Sequence, residues 1–189
     1  LNPRYLQSLG GGQGTGGLIY FTAGPENART AWVTDGNTAQ QLSTAIVDES
    51  AGDGHIFGFS NGKVYFSARE PNSGNDNFEL YQTDHASGAT IQLKNINATV
   101  NAQGQAGSRP GNFTDVNGTL YFAATDGVHG FELWKSDGTA AGTVMVQTLD
   151  AYGQPVNEIN PGAAGSNPGV VITTKVDTGD GLPGAAVVV

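Results

Sequence analysis

The chain has no cysteine among its 189 residues, so it has neither a disulfide framework nor a thiol nucleophile. Basic residues are few: 8 Lys and Arg stand against 17 Asp and Glu, a formal net charge of −9. This balance disfavours nucleic acids and anionic membrane surfaces as partners, because both are bound through clustered Lys and Arg. No apolar run approaches the roughly 20 residues that span a bilayer.

Helical periodicity is also absent. Glycine interrupts every window with apolar residues at helical spacing, and the chain contains 29 Gly and 8 Pro. Short apolar runs between glycine-rich turns are typical of all-β proteins, and the length suits one domain with a sizeable core. Because no Met precedes Leu1, we interpret the chain as processed or as a portion of a longer protein.

A repeated phrase organises the sequence. Its most complete copy, at Gly118–Thr143, reads GTLYFAATDGVHGFELWKSDGTAAGT, and two degenerate copies precede it. Tyr-Phe pairs begin at Tyr20, Tyr65 and Tyr121, which lie 45 and 56 residues apart. Repeats of this period that hold several short strands are the signature of propeller blades or similar β arrays.

The repeat divides the chain into three recognisable units and a partial fourth, roughly residues 1–50, 51–100, 108–160 and 166–189. The fourth is predicted where Ser108-Arg109-Pro110-Gly111 recurs as Ser166-Asn167-Pro168-Gly169.

Three blades alone would expose strand edges. Residues 170–176 and 185–189 could pair with 5–9 and close a small ring, further blades could follow Val189, or another chain could cover the edge. We favour a portion of a longer blade array.

Each unit is predicted to contain four antiparallel strands. Asn61-Gly62 and Asn117-Gly118 predict type I′ hairpin turns, each followed by a Tyr-Phe strand. A Phe-Glu-Leu-Tyr/Trp strand comes next, and a turn with Ser/Thr-Asp leads to a fourth strand, predicted at Ala89–Ile96 and Thr143–Leu149. The predicted fold is therefore all-β, with β-propeller-like blades.

The third unit resembles the bacterial ELW-x-x-DGT-x-x-GT repeat. The resemblance rests on Glu132–Thr143, which reads ELWKSDGTAAGT, and on the NGTLYF strand at Asn117–Phe122. It continues more weakly through the second and first units, where Thr30-Ala31 stands in place of Glu-Leu. The resemblance implies blades of large secreted or surface-anchored bacterial proteins, and it implies no single activity and no catalytic residues.

Nine repeat positions are interpreted first as structural. They are aromatic residues of the two central strands and aspartates of the turn that follows: Tyr20, Trp32, Asp35, Tyr65, Tyr81, Asp84, Tyr121, Trp134 and Asp137. The large rings are expected to pack between blades, with sugar stacking as the alternative for an exposed ring. The aspartates are expected to accept backbone hydrogen bonds in Asx-turns. Glu79 and Glu132 are expected to be partly buried on a neighbouring blade edge.

Two short motifs are interpreted as loops and not as enzyme sites. Gly58–Gly62 satisfies G-x-S-x-G, but its Asn-Gly predicts a hairpin where a nucleophile elbow needs a helix. Gly12–Gly17 satisfies G-x-G-x-x-G, but a strand follows where a phosphate site needs a helix N-terminus.

No cofactor is predicted, and calcium alone stays open. His55, His85 and His129 lack the spacing of metal ligands. Carboxylates could hold calcium, but Asp177–Gly181 is only a vague echo of a calcium-binding loop.

These observations predict a non-catalytic binding or structural module, secreted, periplasmic or on the cell surface. Its partner would be another protein of a cell-envelope assembly or a surface polysaccharide. The alternative is a carbohydrate-active enzyme, a glycosidase or lyase with acidic residues near the propeller axis, since glycoside hydrolysis usually needs two carboxyl groups. Asp53, Asp76 and Glu158 are its candidates, because each occurs in one unit only.

Overall fold

The computed structural model describes residues 2–8, 17–50, 56–73, 76–99, 106–149, 151–156, 159, 165–166 and 168. Every regular element in these ranges is a β-strand, and none of these residues forms a long apolar helix that could cross a membrane. The strands are β1 (Arg4–Ser8), β2 (Ile19–Ala23), β3 (Thr30–Thr34), β4 (Ala39–Val47), β5 (Phe57–Ser60), β6 (Lys63–Arg69), β7 (Glu79–Asp84), β8 (Thr90–Lys94), β9 (Gly111–Val116), β10 (Thr119–Thr125), β11 (Phe131–Ser136), β12 (Val144–Met145), β13 (Thr148–Leu149) and β14 (Pro155–Val156). The all-β prediction is confirmed.

Most strands belong to three antiparallel four-stranded units that follow chain order. We call β1–β4 the first unit, β5–β8 the second and β9–β12 the third. The third is a sheet of its own, whereas the first two share one sheet because Ile46 and Val47 of β4 pair with Arg69 and Ala68 of β6. The described sheets are open, and they form no closed barrel or ring. Residues 170–176 and 185–189, through which a small ring could alternatively close, lie outside the described residues.

The Tyr-Phe strand is the second strand of each unit, and it meets the third strand in the same register each time. The opposed pairs are Phe21 with Trp32, Phe66 with Tyr81, and Phe122 with Trp134. Asn61 and Asn117 have φ of 48° and 51°, and the glycines after them have φ of 71° and 82°, as type I′ turns require. The three copies of the phrase therefore occupy equivalent places.

The fourth strand of the third unit is shorter than the sequence predicts. Val144–Met145 pairs with β11 and Val146 N donates to Leu133 O at 2.8 Å, but Thr148–Leu149 pairs instead with Pro155–Val156. Thr143 donates to the carbonyl of Thr139 at 2.7 Å, so turn hydrogen bonding keeps this residue out of the strand.

The units pack face to face, and the central strand β6 of the second unit is buried on both faces. One face of β6 places Phe66 in a core with Tyr20 of the first unit. The opposite face places Tyr65 in a second core with Phe122 of the third unit. Successive side chains of a strand point to opposite faces, so one strand supplies both cores. A strand buried on both faces has the nearly continuous apolar sequence seen here.

Glycine lets the second and third units approach closely. A Cβ on Gly58 would collide with the side chain of Phe113 on β9. The packing between these sheets therefore depends on the absence of a side chain at this position.

Candidate binding cleft between the first and second units

The aromatic repeat residues lie in or beside the two cores. Tyr20, Tyr65, Tyr81 and Trp134 are buried, and Trp32 and Tyr121 are half-buried. The Tyr81 ring stacks on Phe66 with centroids 6.1 Å apart, and Trp134 Nε1 donates to the carbonyl of Ala124 at 3.1 Å. The Tyr81 and Trp134 rings therefore offer no free face for stacking on a sugar.

The three repeat aspartates close their turns through Oδ1. Asp35 Oδ1 accepts from Thr38 N at 2.7 Å, Asp84 Oδ1 accepts from Ser87 N at 2.9 Å, and Asp137 Oδ1 accepts from Thr139 N at 2.9 Å. Hydrogen bonds within these turns hold the pKa of each carboxyl below its ordinary value. All three side chains are therefore ionised at neutral pH.

Neighbouring units meet at two junctions: the first junction lies between the first and second units, and the second junction lies between the second and third units. At each junction, a tyrosine of the earlier unit reaches the aspartate turn of the later one. The Tyr20 hydroxyl lies 2.9 Å from His85 Nδ1. The Tyr65 hydroxyl lies 3.0 Å from where a Cβ on Gly138 would stand. His85 and Gly138 each directly follow the repeat aspartate, so the two contacts are equivalent. Burial raises the pKa of Tyr65 to about 12, with a further contribution from the charges of Asp137 and Asp115.

A cleft of about 300 Å³ lies beside the Tyr20 contact. Leu18, Val33 and Leu42 provide its apolar side. Its polar and small lining residues are Tyr20, Thr34, Asp35, Thr38, Gln40, Thr83, Asp84, His85, Ala86, Ser87 and Gly88. The lining is thus mainly polar with one apolar side, and a concave site that combines apolar contact with converging polar groups can hold a small ligand.

The second junction can be compared with this cleft position by position, because the units share one register. Leu18 precedes Tyr20 by two residues, as Lys63 precedes Tyr65, and Val33 lies opposite Tyr20 as Gln82 lies opposite Tyr65. In the orientation that satisfies its neighbours, the Gln82 amide donates to Gly138 O at 3.0 Å and accepts from Lys63 Nζ at 2.8 Å. Long polar side chains thus occupy, at the second junction, the positions where the first junction has Leu18 and Val33.

The edge of the cleft is acidic. Asp35 and Asp84 contribute to it, and no Lys or Arg is found among its described lining residues. The turns use Oδ1 of each aspartate, and within the described part of the chain Oδ2 of neither makes a hydrogen bond. These oxygens can accept from the hydroxyl or ammonium groups of a ligand.

The chemistry of these two aspartates suits binding better than cleavage. A general acid for glycoside hydrolysis needs a carboxyl whose pKa is raised. The turns lower the pKa of both, so neither holds a proton at neutral pH.

Of the three candidate residues of the alternative enzyme, the structure describes only Asp76. Asp53 and Glu158 lie outside the described residues. Asp76 forms an ion pair with Arg109, at 2.7 Å between Oδ1 and Nη2, and it does not line the cleft.

Among the remaining motif residues, the structure describes Ser60 and His129. His55 and residues 12–16 lie outside the described ranges, as do residues 177–181. Ser60 of G-x-S-x-G is buried at the end of β5, and a strand follows the Asn-Gly turn. His129 Nδ1 lies 2.6 Å from Asp126 Oδ2. Among the described residues, no three His, Asp or Glu side chains group as metal ligands.

Sequence reasoning missed the residues that make the first junction different. Leu18, Val33 and Leu42 are ordinary strand residues by pattern. Aligning the units by their Tyr-Phe strands would have shown Leu18 against Lys63 and Val33 against Gln82, and this was the available signal.

Comparison with family models, with curated proteins and with solved structures finds no match to this chain.

Proposed function

We propose that this chain is a non-catalytic binding module of β-propeller-like blades, related to the bacterial ELW repeat. It acts outside the cytoplasm, secreted, periplasmic or on the cell surface, and binds a polysaccharide through the cleft between its first two units. A protein of a cell-envelope assembly is the alternative partner.

The architecture is supported by the four-stranded units, their common register and their face-to-face packing. The start of a fourth blade is supported by an equivalent contact. Ser166 N donates to Glu132 Oε1 at 2.8 Å, as Ser108 N donates to Glu79 Oε1 at 3.1 Å. We therefore propose that a further unit follows the third.

The observation that carries the function is the open first junction. At the second junction Lys63 and Gln82 use the same positions for structural hydrogen bonds. The first junction has Leu18 and Val33 at these positions and therefore lacks those hydrogen bonds. A ligand that occupies the space beside them would explain this difference.

The lining favours a saccharide. Leu18, Val33 and Leu42 can cover the C–H face of a sugar ring, while Asp35 and Asp84 accept from its hydroxyl groups. A volume of about 300 Å³ suits one or two sugar residues and does not suit a folded partner.

The test fills the cleft with side chains that the chain already tolerates at the equivalent place. Wild type and a Leu18→Lys/Val33→Gln double variant are applied to an array of bacterial surface polysaccharides and their oligosaccharides. Wild type should bind at least one of them, and the double variant should lose that binding while it keeps its far-UV circular dichroism and cooperative melting.

A matched control is Ile91→Gln, because Ile91 is an exposed apolar residue outside the cleft. This variant should bind as wild type does. Equal binding by wild type and the filled variant would place the ligand elsewhere. Absence of all saccharide binding, with a purified envelope protein bound instead, would favour the protein partner.

A further inference from the structure

A second cavity, of about 630 Å³, lies between the same units at the other end of the strands. Strand β3 starts beside Arg29 at this cavity and ends with Thr34 at the cleft. Four charged residues line the cavity, namely Arg29, Asp48, Glu49 and Arg69. Its remaining lining residues are Asn27, Ile46, Val47, Ser50 and Phe78.

Two of the four charges compensate each other. Arg29 Nε lies 3.3 Å from Glu49 Oε2, an ion-pair distance, although its N–H is not aligned for a hydrogen bond. Arg29 Nη1 also donates to the carbonyl of Asn2 at 2.7 Å, and Glu49 Oε1 accepts from the Thr22 hydroxyl at 2.6 Å.

The other two charges, Asp48 and Arg69, are buried, and neither has an ion-pair partner among the described residues. Asp48 is 4% exposed; its Oδ1 accepts from Ser50, but its Oδ2 has no partner among the described residues. Arg69 is 9% exposed, lies over the Phe78 ring at 5.5 Å and reaches the Glu70 carbonyl only at 3.5 Å. Its Nε likewise lacks a partner in the described part. Burying an uncompensated charge is costly, so this arrangement calls for a ligand that supplies both opposite charges.

The sheet holds the two side chains at a spacing that a small ligand can bridge. Ile46 lies opposite Arg69, and Asp48 N donates to Ser67 O at 2.9 Å. Asp48 is two residues beyond Ile46 and therefore shares a face with Arg69. The Cα atoms of diagonal neighbours of this kind are about 7–8 Å apart.

We propose that this cavity binds an α-amino acid with an apolar side chain. The carboxylate accepts from the Arg69 guanidinium, the ammonium group donates to Asp48, and the side chain packs against Ile46 and Phe78. The zwitterion carries no net charge, as the four lining charges together carry none. This site is separate from the saccharide cleft, and its ligand is of another class.

The test uses isothermal titration calorimetry on the full chain with three probes. L-leucine carries both charges, L-leucinamide lacks the carboxylate, and N-acetyl-L-leucine lacks the ammonium group. L-leucine should bind, and each analogue should bind at least roughly tenfold more weakly, because each loses a charge-assisted hydrogen bond. No binding of L-leucine at about 10 mM, or equal binding of all three, would overturn the proposal.

A double variant, Asp48→Asn/Arg69→Gln, removes both buried charges together, so that neither charge stays buried without the other. It should lose L-leucine binding, whereas Asp35→Asn, in the cleft at the other end of the strands, should keep it. Undiminished binding by the double variant would refute the assignment. If that variant does not fold, the three-probe series on the wild-type chain decides alone. Either result leaves the polysaccharide test at the other cleft unaffected.

Discussion

Glu79 and Ser108 are joined by two hydrogen bonds where the chain enters the third unit. Ser108 N donates to Glu79 Oε1 at 3.1 Å, and Ser108 Oγ donates to Oε2 at 2.6 Å. Ile96 N also donates to Oε2, at 2.8 Å, and Glu79 is 1% exposed. One buried carboxylate thus connects the end of the second unit to the start of the third.

Glu79→Gln should lower the free energy of unfolding by about 1–3 kcal/mol. The groups around the carboxylate are mainly donors, so the NH₂ of a glutamine would face N–H groups and leave at least one unpaired. Urea denaturation measures the change. Glu26→Gln, at an exposed carboxylate, is the control and should change little. A Glu79→Gln protein as stable as wild type would show that the contact does not hold the units together.

The difference in the free energy of unfolding between wild type and Glu79→Gln should be larger in acid than at neutral pH. Burial raises the pKa of Glu79 above its ordinary 4.5, against the opposing effect of hydrogen bonds from Ser108, Ile96 and Asn97. A carboxyl with a raised pKa in the folded state contributes stability that is full below the unfolded value and is lost as pH rises through the folded value. Wild type should therefore lose part of its advantage over Glu79→Gln as pH rises from about 4.5. Denaturation series at several pH values measure this, and an advantage that grew with pH would contradict it.

Asn61→Gly and Asn117→Gly should differ in their loss of stability, although the Gly-Gly sequence that each leaves can still form a type I′ turn. Glycine accepts the positive φ of either position. Asn61 Nδ2 also donates to the carbonyl of Gly118 at 2.5 Å, which links the second and third units, and Asn117 makes no such side-chain bond to another described residue. Asn61→Gly should therefore cost about 0.5–1.5 kcal/mol more than Asn117→Gly in thermal or urea unfolding. Equal losses would mean that this hydrogen bond contributes nothing net.

Asp84→Asn should weaken binding of the saccharide found on the array by roughly fivefold, because a hydrogen bond to a neutral amide is weaker than one to a carboxylate. The asparagine oxygen can still cap the turn through Ser87 N, so the melting temperature should change little. Titration calorimetry measures the affinity. Asp137→Asn, in the equivalent turn of the third unit, is the control and should bind normally. A loss of equal size in both variants would place the effect outside the cleft.

The repeat aspartates show how far sequence reasoning reaches. Asx-turns at Asp35, Asp84 and Asp137 were predictable because each bond runs only two or three residues along the chain. The partner of Glu79 was not predictable, because Ser108 lies 29 residues away and meets it only after two sheets have packed. The prediction of one fourth strand at 143–149 was wrong at Thr148–Leu149, which forms a separate short strand and pairs with Pro155–Val156, not with β11.

The sequence by itself determined the strands, their turns and their repetition. Alternation of side chains, the left-handed preference of Asn-Gly and the recurrence of the Tyr-Phe strand are local properties, so they can be recognised without a structure. Only the tertiary structure decided which junction stays open and which charges are buried without a partner. Both depend on side chains from different units meeting: Leu18 and Val33 leave space near His85, whereas Lys63 and Gln82 reach Gly138.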